Sequence, residues 1–531
     1  MSTEGARHCC RISQVKGQSK LYTTFLVRVL CLCNSPEAVE SDCLFIFFQE
    51  EEKMFKAIEE ALLPIVASFN EYLSSYILIA LLVGVGLWFT IRTRAVQVRY
   101  FGEGMKRMFG GLSLKGKAQK SGMSSFQALA TAIAAQVGTG NIVGASGAIL
   151  VGGPGAIFWM WVIAFLGMAT IYAEATLAQK TRKIGEDGEV HGGPVYYIRE
   201  AFKGKFGKFL AVFFAIALVL ALGFMGTMVQ SNSIGSTAET AFGIPSWVMG
   251  IILVALCGFI FFGGVKRLAS VVEKIVPIMA GVFILGGIVV LICRITYVPA
   301  TFGLIFKYAF QPQAILGGTF GAAIKAAISQ GAKRGLFSNE AGMGSTPHAH
   351  AQANVKHPHE QGTVAMAGVF LDTFVVLTLV ALVIVSTMYV PGGELAESGA
   401  ALISGITKAN LAQTAFGVVF GESIGAIFVA ICLFFFAFST ILGWNLFAKI
   451  NVKYLFKKHA KVATIVFTIL ALAFIFVGTC VSNDLVWELT DAFNYLMVLP
   501  NVIALFAMTK VVKNSLAEID KIKKAEKQAK K

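Results

Sequence analysis

The sequence predicts an all-α polytopic membrane protein with about eleven transmembrane helices, arranged as two inverted halves of five behind one extra N-terminal helix. Three observations carry this reading. The first is composition: 531 residues are 56% hydrophobic and 14% charged, with mean hydropathy +0.71, where a soluble domain carries about a quarter charged residues. The second is segregation. Charges fall between apolar runs, several of them long enough to cross about 30 Å of hydrocarbon, which takes roughly 20 residues. A β-barrel would show short alternating segments instead. The third is the run Gln136-Val137-Gly138-Thr139-Gly140-Asn141 inside the apolar segment Ser124–Gly153. Two glycines weaken a helix there, and hydrocarbon offers no partner for the backbone groups they release. Such a break is tolerated where it lines a cavity, and many transporters build a mid-membrane binding site in this way.

In chain order, the first span is Tyr72–Ile91 and the second is the broken segment Ser124–Gly153. The cluster Gly152-Gly153-Pro154-Gly155 turns the chain into the third, Ala156–Ala178. The fourth is Phe206–Gln230, the fifth Pro245–Phe262 and the sixth Ser270–Leu291. The seventh, Ala314–Gly342, is interrupted like the second. Thr363–Val390, Ser423–Leu446, Val462–Val481 and Leu485–Met508 complete the set.

Lysine and arginine crowd the loops after the odd-numbered spans and the tail, whereas the opposite loops carry Arg294, Lys307 and Lys408. Positive charge stays on the cytoplasmic side, so the C-terminus is placed inside and the start of the first span outside. The net charge of +15 is explained by this topology and does not point to nucleic acid. The nine cysteines show no zinc or redox spacing; Cys9, Cys10, Cys31, Cys33 and Cys43 crowd the start, and Cys257, Cys293, Cys432 and Cys480 are scattered among apolar segments.

The expected organisation is a non-native or disordered extension over 1–53, then an amphipathic helix, the first span and a basic cytoplasmic loop over 54–123. The first half-repeat covers 124–292, the second 293–510, and a basic tail 511–531. Residues 1–53 are basic, lack a signal-peptide pattern and would lie outside, which makes Met54 the expected start. Setting the first span aside, each half of five opens with an interrupted span, and such a pair in register points to a transport site. Close helix packing through glycine is the plainer alternative for a single such segment.

The segments AQVGTGNIVG (135–144), GGPGAIFWMW (152–161), GGPVYYI (192–198), MVQSNSI (228–234) and RGLFSNEAGMGSTPHAHA (334–351) resemble the alanine or glycine:cation symporters. The resemblance spans residues 54–510. It implies the five-plus-five fold of sodium-coupled amino-acid transporters and Na⁺-driven uptake of alanine or glycine through the lipid bilayer of the cell membrane, with Na⁺ as coupling ion and no other cofactor.

A small zwitterion needs donors for its carboxylate, acceptors for its ammonium and little room for its side chain. Free amides around Thr139 and Gly140 are candidate carboxylate donors; Gly138 admits the backbone, and the Thr139 hydroxyl and Gln136 amide add contacts. By the resemblance, Phe337 limits side-chain size, Ser338 and Asn339 face the ammonium, and Gln230 is a further substrate contact. Sodium takes hard oxygen ligands, and the resemblance places it on carbonyls near Ala134 and Val137 with hydroxyls from Ser439 and Thr440, and with Asn141 at a second cation site. For Ser439 and Thr440 ordinary back-bonding to a helix carbonyl is the alternative.

Arg334 and Glu340 flank the second break, as a cytoplasmic gate or as interfacial residues. Glu488 and Asp491 begin the last span as outer gate residues or a solvated helix end, and Glu174 pairs within the third span. His348, His350, His357 and His359 lack a carboxylate or cysteine set that would complete a metal site. A channel would need a continuous polar lining, and a membrane enzyme a catalytic set such as HExxH; neither pattern is present, and there is no Walker motif. The alternatives to Na⁺ symport are a proton-coupled or facilitative carrier of another small neutral amino acid, or an ion channel.

Overall fold

The computed structural model describes residues 59–110, 122–185, 189–311, 320–396, 405–481 and 483–529. The expected extension 1–53, its five cysteines, and much of the basic loop before Ser124 lie outside the described residues. Residues up to Leu62 cluster as one unit, and the unit from Leu63 onward carries everything below except the first turn of the first helix.

Among the described residues the protein is almost wholly helical. The first span is α1 (Glu59–Arg92), widened into a π-turn at Leu73–Leu78. A surface helix α2 (Phe101–Gly110) leads to the broken pair α3 (Ser125–Gln136) and α4 (Gly140–Gly152), bent by 43°. Then come α5 (Gly155–Thr181), the short α6 (Pro194–Ala201), α7 (Gly204–Phe242), α8 (Ser246–Phe261), α9 (Gly264–Cys293) and α10 (Val298–Phe310). A two-residue β-ladder, Lys183–Ile184 with Val190–His191, lies between α5 and α6. The second half holds α11 (Phe320–Asn339), α12 (Pro347–Gln352), α13 (Pro358–Met388), α14 (Leu411–Phe420) and α15 (Glu422–Leu455). It ends with α16 (Lys457–Cys480), α17 (Asp484–Ala507) and α18 (Thr509–Ala529).

Eight of these helices are long and apolar enough to cross a membrane, or nine if the bent α3–α4 pair is one span. Two expected spans fall short of that standard for physical reasons. The fifth is a helix of 16 residues, and the seventh carries Lys325, Lys333 and Arg334.

Local chemistry explains the boundaries. The Ser124 hydroxyl accepts from Gln127 N while the Gln127 side chain accepts from Ser124 N, a reciprocal cap that starts α3. The second break sits later than the sequence reading placed it. Residues Gly335–Asn339 are the last turns of α11, and the helix stops at Glu340 (φ 57°), followed by Gly342 (φ 94°) and Gly344 (φ 78°). Glycine tolerates this left-handed backbone without strain, so the chain unwinds there and re-forms as α12.

Packing is organised around α5 and α13, which lie along each other, with α11 against α5 and α15 against α7. Gly155 shows how close this is: a Cβ there would stand 2.2 Å from the backbone carbon of Tyr308. The periphery is apolar and outward-facing, with Ile251, Phe259, Ile278, Leu285 and Ile469 all exposed. Those side chains suit contact with lipid tails, and the polar residues are gathered inside.

Candidate functional site

The polar interior centres on the break between α3 and α4. In an unbroken helix the Gly138 amide would close on the Ala134 carbonyl. It donates instead to Asn141 Oδ1 at 3.0 Å. The Thr139 amide likewise leaves the ladder and donates to Gln230 Oε1 of α7 at 3.1 Å. The released carbonyls turn to α15, where the Thr440 hydroxyl donates to Ala134 O at 2.7 Å and lies 3.5 Å from Val137 O. That hydroxyl also lies 3.0 Å from Phe436 O. One proton faces three carbonyl oxygens, so acceptors exceed donors, and a hard cation with oxygen ligands suits that set.

Gly138 is required for the approach. A Cβ there would stand 2.4 Å from Thr440 Oγ1 and 3.2 Å from Gln230 Oε1. Gly140 plays the same part toward α11, where a Cβ would stand 2.9 Å from Phe337 Cδ1 and 3.2 Å from Ser338 Cα.

The two breaks are tied together. Gln136 Nε2 donates to the Asn339 carbonyl at 2.8 Å. Asn339 is otherwise occupied by its neighbours, accepting from Ala341 N and donating to Thr373 Oγ1 at 3.4 Å. A buried carboxylate that the sequence reading missed, Asp372, joins them. It accepts from Asn141 Nδ2 at 2.6 Å, from Ser338 Oγ at 2.9 Å and from Thr373 Oγ1 at 2.8 Å. Asp372 lies in a π-turn of α13, Phe370–Leu377. Two further π-turns, Gly140–Gly144 and Val219–Gly226, flank Thr139 and Gln230. Such turns recur at functional sites because they break the helical ladder without ending the helix. The signal for Asp372 was present: a lone acid in an apolar span is a functional residue by default.

Within this cluster two fully buried polar groups have no hydrogen-bond partner among the described residues, Thr139 Oγ1 and Gln230 Nε2. Both can donate, and the Thr139 N to Gln230 Oε1 bond holds them side by side.

Of the expected site residues, the structure brings together Gln136, Gly138, Thr139, Gly140, Gln230, Phe337, Ser338 and Asn339, and joins Ala134 and Val137 to Thr440. Ser439 is not brought to these carbonyls. Its hydroxyl bonds to Phe436 O at 3.0 Å and faces Met279 Sδ of α9 at 3.5 Å. Asn141 uses both ends of its amide within the protein, on Gly138 N and Asp372.

The flanking charges part company. Arg334 forms a buried ion pair with Asp491 of α17 at 3.1 Å. Glu340 accepts from Ser345 Oγ and from Trp444 Nε1, beyond Phe337 from Arg334. Glu174 accepts from Gly342 N at 3.1 Å and Asn501 Nδ2 at 2.6 Å, clamping the unwound loop. The histidine rings are engaged one by one: His348 with Ser345 O and Asn451, His350 with Gln361, and His359 with Tyr172.

A sequence model of the sodium:alanine symporter family matches residues 59–531. A sodium/alanine symporter of Methanococcus maripaludis is 38% identical over 464 residues, covering 87% of this chain and 98% of that one. A Haemophilus influenzae protein named as an uncharacterized transporter is 41% identical over 450 residues, covering 84% and 94%. Among solved structures, MhsT in complex with L-phenylalanine superposes with a TM-score of 0.48 at 16% identity, covering 75% of this chain and all of that one.

Proposed function

The chain belongs to the sodium:alanine symporter family, and from that premise we propose that it carries alanine or glycine into the cell together with Na⁺, by alternating access across the cell membrane. The observation that carries this reading is the broken helix itself. It releases the Ala134 and Val137 carbonyls toward Thr440 on one side, and leaves Thr139 Oγ1 and Gln230 Nε2 as unpartnered donors on the other. The first set suits Na⁺ and the second suits a carboxylate. Ala134, Val137 and Thr440 are the proposed Na⁺ contacts. Ser439 is not among them, because its hydroxyl turns to Phe436 O and Met279 Sδ, and Asn141 holds the break open from Gly138 and Asp372.

The amino-acid carboxylate is assigned to Thr139, the Gly140 amide and Gln230. The ammonium is assigned to the Ser338–Asn339 turn, in the negative field of Asp372. Phe337 against Gly140 leaves room for a small side chain only. In the finer architecture, ten spans form the five-plus-five inverted repeat, 124–292 and 293–510, behind α1, with the C-terminus cytoplasmic. In that orientation the Arg334–Asp491 pair lies on the outer side of the site and Glu340 on the inner side.

The test is uptake of labelled alanine by proteoliposomes, with an inward Na⁺ gradient and then with K⁺ replacing Na⁺. Uptake confined to Na⁺ supports the proposal. Equal uptake in both salts would move the reading to a facilitative or proton-coupled carrier.

A further inference from the structure

Trp487 of α17 is used by none of the contacts assigned above to substrate or Na⁺. It is 2% exposed, and two residues of α11 one turn apart meet its ring. The Arg334 guanidinium carbon lies 4.5 Å from the ring centroid, and the Phe337 centroid lies 4.8 Å away. The Lys408 ammonium adds a contact at 5.5 Å. Toward α4 the neighbour is Gly144, where a Cβ would stand 3.7 Å from Trp487 Cη2. Arg334 continues past the indole to Asp491, one turn further along α17. On the other side, Phe337 rests on Gly140. Contact therefore runs without a gap from Asp491 through Arg334, Trp487 and Phe337 to the broken helix.

The indole nitrogen sets this ring apart from four of the other five tryptophans, the fifth, Trp247, being exposed. Trp88, Trp159, Trp161 and Trp444 each donate to an oxygen acceptor. Trp487 Nε1 is buried and has no hydrogen-bond partner among the described residues. Dispersion and cation–π attraction hold the ring, with no directional bond to fix it. A ring held this way follows its neighbours when they move, and its bulk sets how far Phe337 can withdraw from Gly140.

We propose that Trp487 is a positioning residue that sets the largest side chain the site accepts, by holding Phe337 against Gly140 beneath the Arg334–Asp491 pair. This rests on the reading of residues 136–140 and 337–339 as the amino-acid site. Reducing the indole lets Phe337 retreat, so a larger substrate gains access while alanine loses its close fit.

The test compares uptake of labelled alanine and leucine by proteoliposomes holding the full chain as wild type, Trp487→Leu and Trp487→Phe. Trp487→Leu is expected to shift the leucine-to-alanine ratio of kcat/KM on the order of tenfold toward leucine, the scale of a methylene-sized change in an apolar pocket. Trp487→Phe, which keeps a buried ring and guards against a folding failure of the first variant, is expected to fall between. A ratio that stays at the wild-type value in the folded variants, with both uptakes lowered in parallel, leaves Trp487 a merely structural role and overturns the proposal. Wild-type protein without Na⁺-dependent alanine uptake would overturn the transport reading as well, so the two failures are distinguishable.

Discussion

The Thr440 hydroxyl reaches the Ala134 carbonyl at 2.7 Å across 306 residues of sequence. The contact exists because Gly138 gives its amide to Asn141 and leaves that carbonyl without its helical donor. Local chain chemistry at the break thus creates the acceptor, and the fold supplies α15 to face it.

Replacing Thr440 by alanine should raise the Na⁺ concentration for half-maximal alanine uptake about tenfold, as loss of one oxygen contact of about 1 kcal/mol or slightly more implies. Thr440→Ser keeps the hydroxyl and should stay near wild type. Na⁺ titrations of uptake check both variants.

Gly138→Ala should abolish uptake. Its methyl would stand 2.4 Å from Thr440 Oγ1 and crowd Gln230, so α3 and α15 must separate. Uptake at the wild-type rate would show that these helices do not need to approach so closely during transport.

Arg334 and Asp491 are buried together, with side chains 12% and 3% exposed. Removing either partner strands the other charge, at a cost on the order of 3–5 kcal/mol, whereas removing both strands neither. Arg334→Ala and Asp491→Asn should each lower thermal stability more than Arg334→Met combined with Asp491→Leu, measured as Tm in detergent. The reverse order would show that the pair is solvated.

The contact between α2 and α18 responds to acid through Glu103. Burial alone would raise its carboxyl, but His359, Lys523 and Arg107 outweigh burial and hold it well below the usual carboxylate range. Lys523 belongs to α18, and so does Asp520, which pairs with Arg99 at 2.9 Å. A depressed carboxylate contributes stability above its unfolded pKa and loses it as pH falls through the folded value. The α18 attachment should therefore be constant at neutral pH and weaken only below about pH 4. Glu103→Gln should release α18 at neutral pH, seen as faster proteolysis of the tail.

Much of this was legible in the sequence because membrane helices announce themselves by length and apolarity, and because the Gly138-Thr139-Gly140 run cannot form an ordinary helix in lipid. The family resemblance, not residue spacing, set Ala134, Val137 and Thr440 on one proposed Na⁺ site, and the Thr440 hydroxyl lies on the Ala134 carbonyl. The position of the second break was not, since Glu340 adopts a left-handed backbone that residue type does not predict. Ser439 and Thr440 are adjacent, and adjacent helical residues point about 100° apart, so only one could face the break. Asp372 was legible as a lone acid in an apolar span, but its partners Asn141 and Ser338 were not. The Trp487 contacts depend on how α11 and α17 pack, and no local pattern reports that.

The most direct test of the central claim, that one broken helix serves both Na⁺ and the amino acid, is the alanine affinity of the purified protein measured by calorimetry across a range of Na⁺ concentrations. Sites that share one helix are linked, so affinity should rise with Na⁺ in the wild type, and Thr440→Ala should flatten that rise. Alanine affinity unchanged between Na⁺-free and Na⁺-saturated protein would contradict the account.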